Sequence, residues 1–512
     1  MSRTGCAMLL GLLAAAPSPL VAQGEERAVF AVVRQLFDGM RARDTARMRA
    51  ALHPEARLVS PVVRDGVSGV RVESPAGWLA QVARSTGAPV DERLRDPVIR
   101  VDGALASVWV EYSLHVGERF VHCGVDAFHL VRTAEGWRII DLADTRRREG
   151  CADGPDPLRD RVQSFLDSLR QAAGFPGATV GIALPDGRVI AVATGEADTA
   201  QDVRLAAEDL LLAGSVGKTF FAALALSLIG EGRLALDTPI GYWLGREPWF
   251  SRLPNGPSIT VRQLMNHTSG LVRYEFKEQF TRDLSAAPDR IWRPEELIGY
   301  ILDTPAPFEA GKGWDYSDTN YIVLGMILER ITGTRAYDEI TRRFLAPLGL
   351  THVVPSTSRR IPGLAQGYAG PGNPFGGRDA MIADGRLAIN PQFEWAGGGF
   401  ATSAPDLARW ARALYGGLVV DSAVLGLALE GVPARLGPNV QYGLGVILWP
   451  DESGAAVGHS GFFPGYQAEM RYFPADRFAI AVQFNTSAPR ALGRSPGSVV
   501  NALAAIIRSH RP

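Results

Sequence analysis

Ala213-Gly214-Ser215-Val216-Gly217-Lys218 holds the chain's single Ser-x-x-Lys, and the apolar, proline-free run TFFAALALSLI follows it over residues 219–229. A run of that length and composition reads as a helix. Ser215 then stands at a helix N-terminus, with Lys218 three residues on and over the same face. A serine hydroxyl is a weak nucleophile until a neighbour takes its proton. A Lys amine one turn away can do this, or can polarise a second base, if desolvation lowers its pKa from about 10.4. The helix N-terminus adds positive potential where an oxyanion would develop. The plainer reading makes Ser215 a helix N-cap and Lys218 a surface charge. A surface position is hard to reconcile with Phe220, Phe221 and Leu224 around it.

The same stretch also looks like a strand running into a phosphate loop, since Gly217-Lys218-Thr219 follows Leu210-Leu211-Leu212. That loop needs a glycine four residues before Gly217. Leu212 stands there, and its side chain would obstruct the backbone cradle, which sets nucleotide binding aside.

Composition fits this picture. The chain has 512 residues, 46% hydrophobic and 21% charged, with a formal net charge of −1. This length asks for two or three domains, and the charge points to no nucleic-acid or anionic-membrane partner. Only Lys218, Lys277 and Lys312 are lysines, so a motif built on Lys is informative. Residues 1–22 read as a secretory signal: Arg3, an apolar run over 7–16, and Leu20-Val21-Ala22 before Gln23. The mature protein is expected to be exported, periplasmic or secreted, with no membrane span. Its cysteines, Cys123 and Cys151, either pair or remain two separate thiols. Their spacing fits no zinc signature and there is no His-Glu-x-x-His, so no metal or cofactor is expected.

Residues 26–148 carry a pattern of their own. A long amphipathic helix spans 26–51, with Val29, Val32, Val33, Leu36, Phe37 and Met40 recurring at three and four. A short helix follows with Ser74 as N-cap and Pro75 in its first turn. Strands over 108–116, 120–132 and 137–144 alternate apolar and polar residues. Helices followed by an antiparallel meander make an α+β plan. Gly124-Val125-Asp126-Ala127-Phe128 and Gly136-Trp137-Arg138-Ile139 resemble the nuclear-transport-factor-like and ketosteroid-isomerase-like cone fold. Such cones bind small ligands or serve as dimerisation modules, which implies a dimer through this domain. Asp126 shares a strand face with Phe128, yet is expected as a surface carboxylate, and no acid–base pair stands out in the domain. Residues 149–157, rich in Gly and Pro, read as a linker.

The remaining chain, 158–512, holds further elements in order: Ile259 through Leu271 with Asn266-His267-Thr268-Ser269-Gly270, then Tyr316-Ser317-Asp318, Gly397-Gly398-Gly399, and His459-Ser460-Gly461. Together with Ser215-x-x-Lys218 they resemble the class C β-lactamase family, which includes penicillin-binding proteins and serine esterases, across some 350 residues. The resemblance implies an antiparallel sheet flanked by the first and last helices, with a helical lobe and Ser215 between sheet and lobe. Strands are expected over 442–448, 467–473 and 478–484, and a closing helix over 497–509. It implies Tyr316 as general base and then acid, Asp318 and His459 as substrate-side groups on the cleft, and Gly461 on the edge strand. The oxyanion hole would be the N–H groups of Ser215 and Phe462. His267 falls in a structural turn of that family.

Two departures bear on the substrate. Asp318 replaces an Asn, and a carboxylate only accepts hydrogen bonds. His459 replaces a Lys, leaving a weaker, pH-dependent charge. Both weaken the case for β-lactams and leave the reaction type intact. The expectation is a serine hydrolase forming an acyl-enzyme with an ester, amide or D-amino-acid peptide, its substrate small or peptidoglycan-like. The competing expectation is a non-catalytic protein that holds a cell-wall fragment or small ligand in the same cleft.

Overall fold

The computed structural model describes residues 19–64, 67–117, 119–148, 151, 156–370, 379–450, 455–488 and 492–510. The expected signal segment before residue 19 and most of the expected linker lie outside the described residues. The chain divides into two compact units, up to Pro157 and from Leu158.

In the first unit, helix α1 (Pro19–Ala42) gives way to α2 (Thr45–Ala51), so the expected single helix over 26–51 is two. Arg43 breaks it with φ 55°, and Asp44 caps α2 by accepting from the Arg47 amide. Helix α3 (Pro75–Arg84) has the expected cap, Ser74 accepting from Gly77 N. The sheet runs β2 (Val67–Glu73), β1 (Leu52–Arg64), β6 (Gly136–Asp144), β5 (Arg119–Thr133), β4 (Leu105–Val116), β3 (Val90–Asp102). It is therefore not a simple meander. Strand β1 pairs in parallel with β6, and the β1–β2 hairpin and β3 were not foreseen. The apolar face of α1, with Val29, Val33, Leu36 and Phe37, packs on the inward residues Val108, Val110, Phe128 and Leu130 of β4 and β5. The alternation along β5 puts Asp126 inside with Phe128, at 1% exposure, which overturns the surface position expected for it.

Cys123 and Cys151 form a disulfide, with Cα atoms 5.6 Å apart. It pins the segment after β6 to β5, where Cys123 and Arg147 also exchange backbone hydrogen bonds.

The second unit is built on a nine-stranded sheet. Two neighbouring interior strands, β7 (Gly177–Ala183) and Phe478–Phe484, are buried along their whole length. One face is covered by the first and last helices, Pro157–Ala173 and Pro496–Ser509, through Val162, Leu166, Val499 and Leu503. The other face carries the helical lobe, whose core includes Phe220, Leu224, Tyr321 and Trp410. The strand expected over 442–448 is two short strands, Gln441–Tyr442 and Ile447–Trp449, separated by a turn at Gly445 with φ 77°. The strands Tyr466–Phe473 and Phe478–Phe484 stand as read, as does the closing helix.

Closing a loop with a sequence separation of 28 restricts the unfolded chain and is worth about 3–4 kcal/mol in the chain-entropy model. Reduction, or replacement of both cysteines by Ala, should lower the unfolding free energy of the first unit by this order and leave the second unit's transition in place. Denaturant unfolding followed domain by domain checks it. An unchanged midpoint under reductant would contradict the stabilising role.

Candidate active site

Ser215 lies on a single 3₁₀ turn, Gly214–Gly217, between the buried strand Leu211–Leu212 and the helix Lys218–Gly230. That helix is apolar all round because it is buried all round. Its neighbours are all buried, and Ser215 alone in the turn is half-buried. Two glycines permit the arrangement. A Cβ on Gly214, whose φ is 50°, would come within 2.7 Å of the Phe462 main chain. A Cβ on Gly217 would stand 2.6 Å from the Gly398 carbonyl oxygen. The nucleophile turn is thus clasped by main chain on both sides: the strand Ala456–Phe463, and the glycine run after Trp395. Trp395 itself has φ 34° and ψ −113°, a strained conformation for a non-glycine residue.

Lys218 is fully buried. Its Nζ donates to Ser215 Oγ at 2.9 Å, to Asp318 Oδ1 and to the Gly397 carbonyl. An ammonium has three N–H donors, and here each has an acceptor. Burial alone would lower the Lys218 pKa, but the Asp318 carboxylate and Tyr316 together outweigh it and the pKa is raised. The lowering expected from desolvation is therefore reversed, and Lys218 is a fixed cation rather than a free amine. Asp318 in turn resists burial because Lys218 and Arg273 hold its pKa far below the usual carboxylate range. Arg273 reaches its other oxygen at 2.6 Å. Asp318 is thus an internal counter-ion, committed to two cations, and not the substrate-side acceptor expected from its place in the motif.

Tyr316 precedes the helix Thr319–Thr332 and is positioned by His267. The His267 ring lies 4.2 Å from the Tyr316 ring, and its Nδ1 accepts from the Ser317 amide and from Asn320 Nδ2 at 3.0 Å. Burial and the nearby Lys218 charge push the His267 pKa well down, so it is a neutral positioning group. Lys218 Nζ sits 5.0 Å from the Tyr316 ring centre. The Tyr316 hydroxyl is buried with no hydrogen-bond partner of ordinary geometry among the described residues. Ser215 and Lys218 are close enough to lower its pKa, yet burial, reinforced by Asp318, leaves it above that of free tyrosine.

His459 is 1% exposed. Its Nδ1 lies 2.6 Å from the Ser460 carbonyl, which can only accept, so Nδ1 carries the proton. Nε2 then accepts from the Tyr442 hydroxyl at 2.8 Å. Burial and the Lys218 charge push its pKa down to about 3. The expected pH-dependent charge is absent: both nitrogens are engaged and the ring is neutral. Gly461 brings the strand against Ala213, whose carbonyl a Cβ there would meet. Phe462 is exposed by 59%, beside the nucleophile turn.

Four further groups face this site that sequence reasoning did not single out: Arg273, Glu275, Glu394 and Tyr442. Arg273 pairs with Glu275 at 3.1 Å and stacks on Phe276. Burial and the Asp318 charge hold Glu275 far above its usual pKa, and burial pushes Glu394 up to about 8. No local motif marks these residues; they come together only through folding.

Residues 162–502 match the Beta-lactamase family model, and residues 24–142 match the family model described as putative lumazine-binding. The chain belongs to the beta-lactamase family. It is 27% identical to penicillin-binding protein 4* of Bacillus subtilis over 327 residues, 61% of this chain and 68% of that protein. It is 24% identical to the D-aminopeptidase of Brucella ovis over 332 residues, 63% of this chain and 59% of that one. A D-stereospecific amidohydrolase from Streptomyces sp. superposes with a TM-score of 0.59 at 28% identity, covering 68% of this chain and 98% of that one. Fold and relatives together make the protein a serine hydrolase of this family.

Lys218 and Asp318 make a buried pair, and removing one member strands the other charge. Asp318→Ala should cost about 3–5 kcal/mol of stability at pH 7. A depressed carboxylate pKa stabilises the fold above the unfolded value, about 3.9, and is lost only as pH falls through the folded value. The raised Lys218 pKa acts below about 10.4. The wild-type pair therefore contributes constant stability between pH 5 and 9, whereas in the variant burial lowers the pKa of the uncompensated Lys218, so the variant gains stability as pH rises and the difference should shrink toward pH 9 in denaturant titrations. A small difference at pH 7, or wild-type stability that itself varies across that window, would show that the pair is not ionised.

Proposed function

We propose that the protein hydrolyses amides or esters of D-amino acids, short D-peptides included, through an acyl-enzyme on Ser215. The observation that carries this reading is the division of labour at Lys218, which is locked as a cation and therefore leaves Tyr316 as the base. Ser215 Oγ already accepts from Lys218, so its own proton is free to pass to Tyr316. The ionised Tyr316, held by the Lys218 charge, takes that proton as Oγ attacks the substrate carbonyl. Tyr316 then returns the proton to the leaving amine or alkoxide as the acyl–Ser215 ester forms. Water, deprotonated by Tyr316, cleaves that ester and regenerates the serine. The Ser215 and Phe462 amides stabilise the oxyanion.

The charges near the cleft favour amides and esters over β-lactams. A β-lactam carboxylate wants a fixed cation, but His459 is neutral and Lys218 and Arg273 are both engaged by Asp318. The D-stereospecific relatives support the same substrate class.

Ser215→Ala should abolish both turnover of D-amino-acid amides and fluorophosphonate labelling while leaving the circular dichroism unchanged. Labelled Ser215→Ala protein, or full turnover by it, would refute the assignment. Tyr316→Phe should lower kcat by about 10²–10⁴ with little change in KM.

The pH profile follows from the same groups. Tyr316 works deprotonated and its pKa is raised above 10, so kcat/KM should climb about tenfold per pH unit from neutrality toward pH 9–10. No inflection should appear near 6.5, because His459 stays neutral. A profile that levels off below pH 8, or one with a histidine limb, would count against Tyr316 as base.

A further inference from the structure

The cone of the first unit encloses a cavity of about 240 Å³. Phe37, Met40, Trp78 and Leu142 give it an apolar wall. Its polar side is strongly acidic. Arg71 and Glu73 line it and pair with each other at 3.5 Å. Arg146 is engaged by Asp144 at 2.6 Å. Glu92 and Asp126 also face the cavity, and neither has an ion-pair partner among the described residues. The remaining titratable groups, His122 and Tyr112, bring no charge. The His122 pKa is lowered by burial and by Arg146, and the Tyr112 phenol, raised by burial, donates to the Thr145 carbonyl.

Glu92 comes from β3 and Asp126 from β5, so β4 lies between them and the fold, not the local sequence, sets them face to face. Asp126 is 99% buried, and its Oδ2 has no hydrogen-bond partner among the described residues. Burial and the Asp144 charge push Glu92 up to about 8, and burial with the Glu92 and Asp144 charges holds Asp126 well above its usual value, with Arg146 opposing both. An unpaired carboxylate inside an apolar chamber is costly. A protein keeps such groups without a cation where a ligand supplies one or where a proton is held in reserve.

We propose that this cavity binds a small organic cation: a primary ammonium on an apolar body the size of one or two rings. The ammonium would sit between Glu92 and Asp126, displace the proton they share, and satisfy the orphaned Oδ2. The apolar body would pack against Phe37 and Trp78. Such a site is separate from the hydrolase chemistry and does not depend on the substrate assigned above.

The test uses the full chain and matched probes that differ only in the head group: tryptamine against indole-3-ethanol, and 2-phenylethylamine against 2-phenylethanol. Lumazine serves as an uncharged bicyclic control. Isothermal titration at pH 7, with Ser215 blocked by a fluorophosphonate, confines the reading to the cone. At least one amine should bind about tenfold or more tighter than its alcohol, the equivalent of one charge-assisted hydrogen bond. Glu92→Gln and Asp126→Asn should each erase that preference while fluorophosphonate labelling of the unblocked protein stays unchanged. The first unit's own denaturant transition reports that the variants still fold, and the wild-type comparison stands without them. Equal affinity within every pair, no binding of any amine, preferential binding of lumazine, or a preference that survives both substitutions would overturn the proposal.

Discussion

The buried pair between Lys218 and Asp318 sets the terms for the rest of the hydrolase unit. An ammonium with no exposure is tolerable only if its charge and all three donors are met. Asp318 meets the charge, and Ser215 Oγ and the Gly397 carbonyl meet the remaining donors. Each demand fixes a piece of structure. The Gly397 carbonyl must be aimed inward, which coincides with the strained turn at Trp395. Asp318 must be aimed at the lysine, which the helix Thr319–Thr332 and the His267 contacts to Ser317 and Asn320 secure. Ser215 Oγ is left as an acceptor from the lysine. Arg273 then balances the second oxygen of Asp318 and brings Glu275 with it.

What was legible in the sequence follows from how local each signal is. Ser215 and Lys218 could be read because their spacing is a helical turn and the following helix is uniformly apolar. The interior strand Phe478–Phe484 could be read because it is buried on both faces and therefore apolar at every position but Gln483. The ionisation state of Lys218 could not, since it depends on a carboxylate 100 residues away. Tyr316-Ser317-Asp318 located that carboxylate, but the motif alone suggested that it faces the substrate. His459 could be located from its motif, but its burial and its two hydrogen bonds, which leave the ring neutral, could not be read there.

The first unit shows the same limit from the other side. Strand β3 is disguised by Asp91, Glu92, Arg93, Arg95 and Pro97. Its proline falls in a register shift between Arg95 and Val98, where a missing N–H costs the ladder little. Without that strand Glu92 has no position, and Asp126 has no partner to make an inward reading attractive. Asp318 differs in this from the acids of the cone. Asp318 is held between two cations, whereas Glu92 and Asp126 have no ion-pair partner among the described residues and feel only the charge of Arg146, which Asp144 already engages.

The clasp around Ser215 is made of main chain, with Gly214 against Phe462 and Gly217 against Gly398. Peptide groups do not change identity when a side chain is exchanged. A site whose rigid frame is backbone can therefore swap exposed side chains beside it, such as Phe462, and alter its clientele while the reacting geometry stays in register. What such a frame forbids is a side chain at either glycine. This locates the narrow corridor within which the enzyme can drift toward new substrates: free at the rim, closed at the hinge.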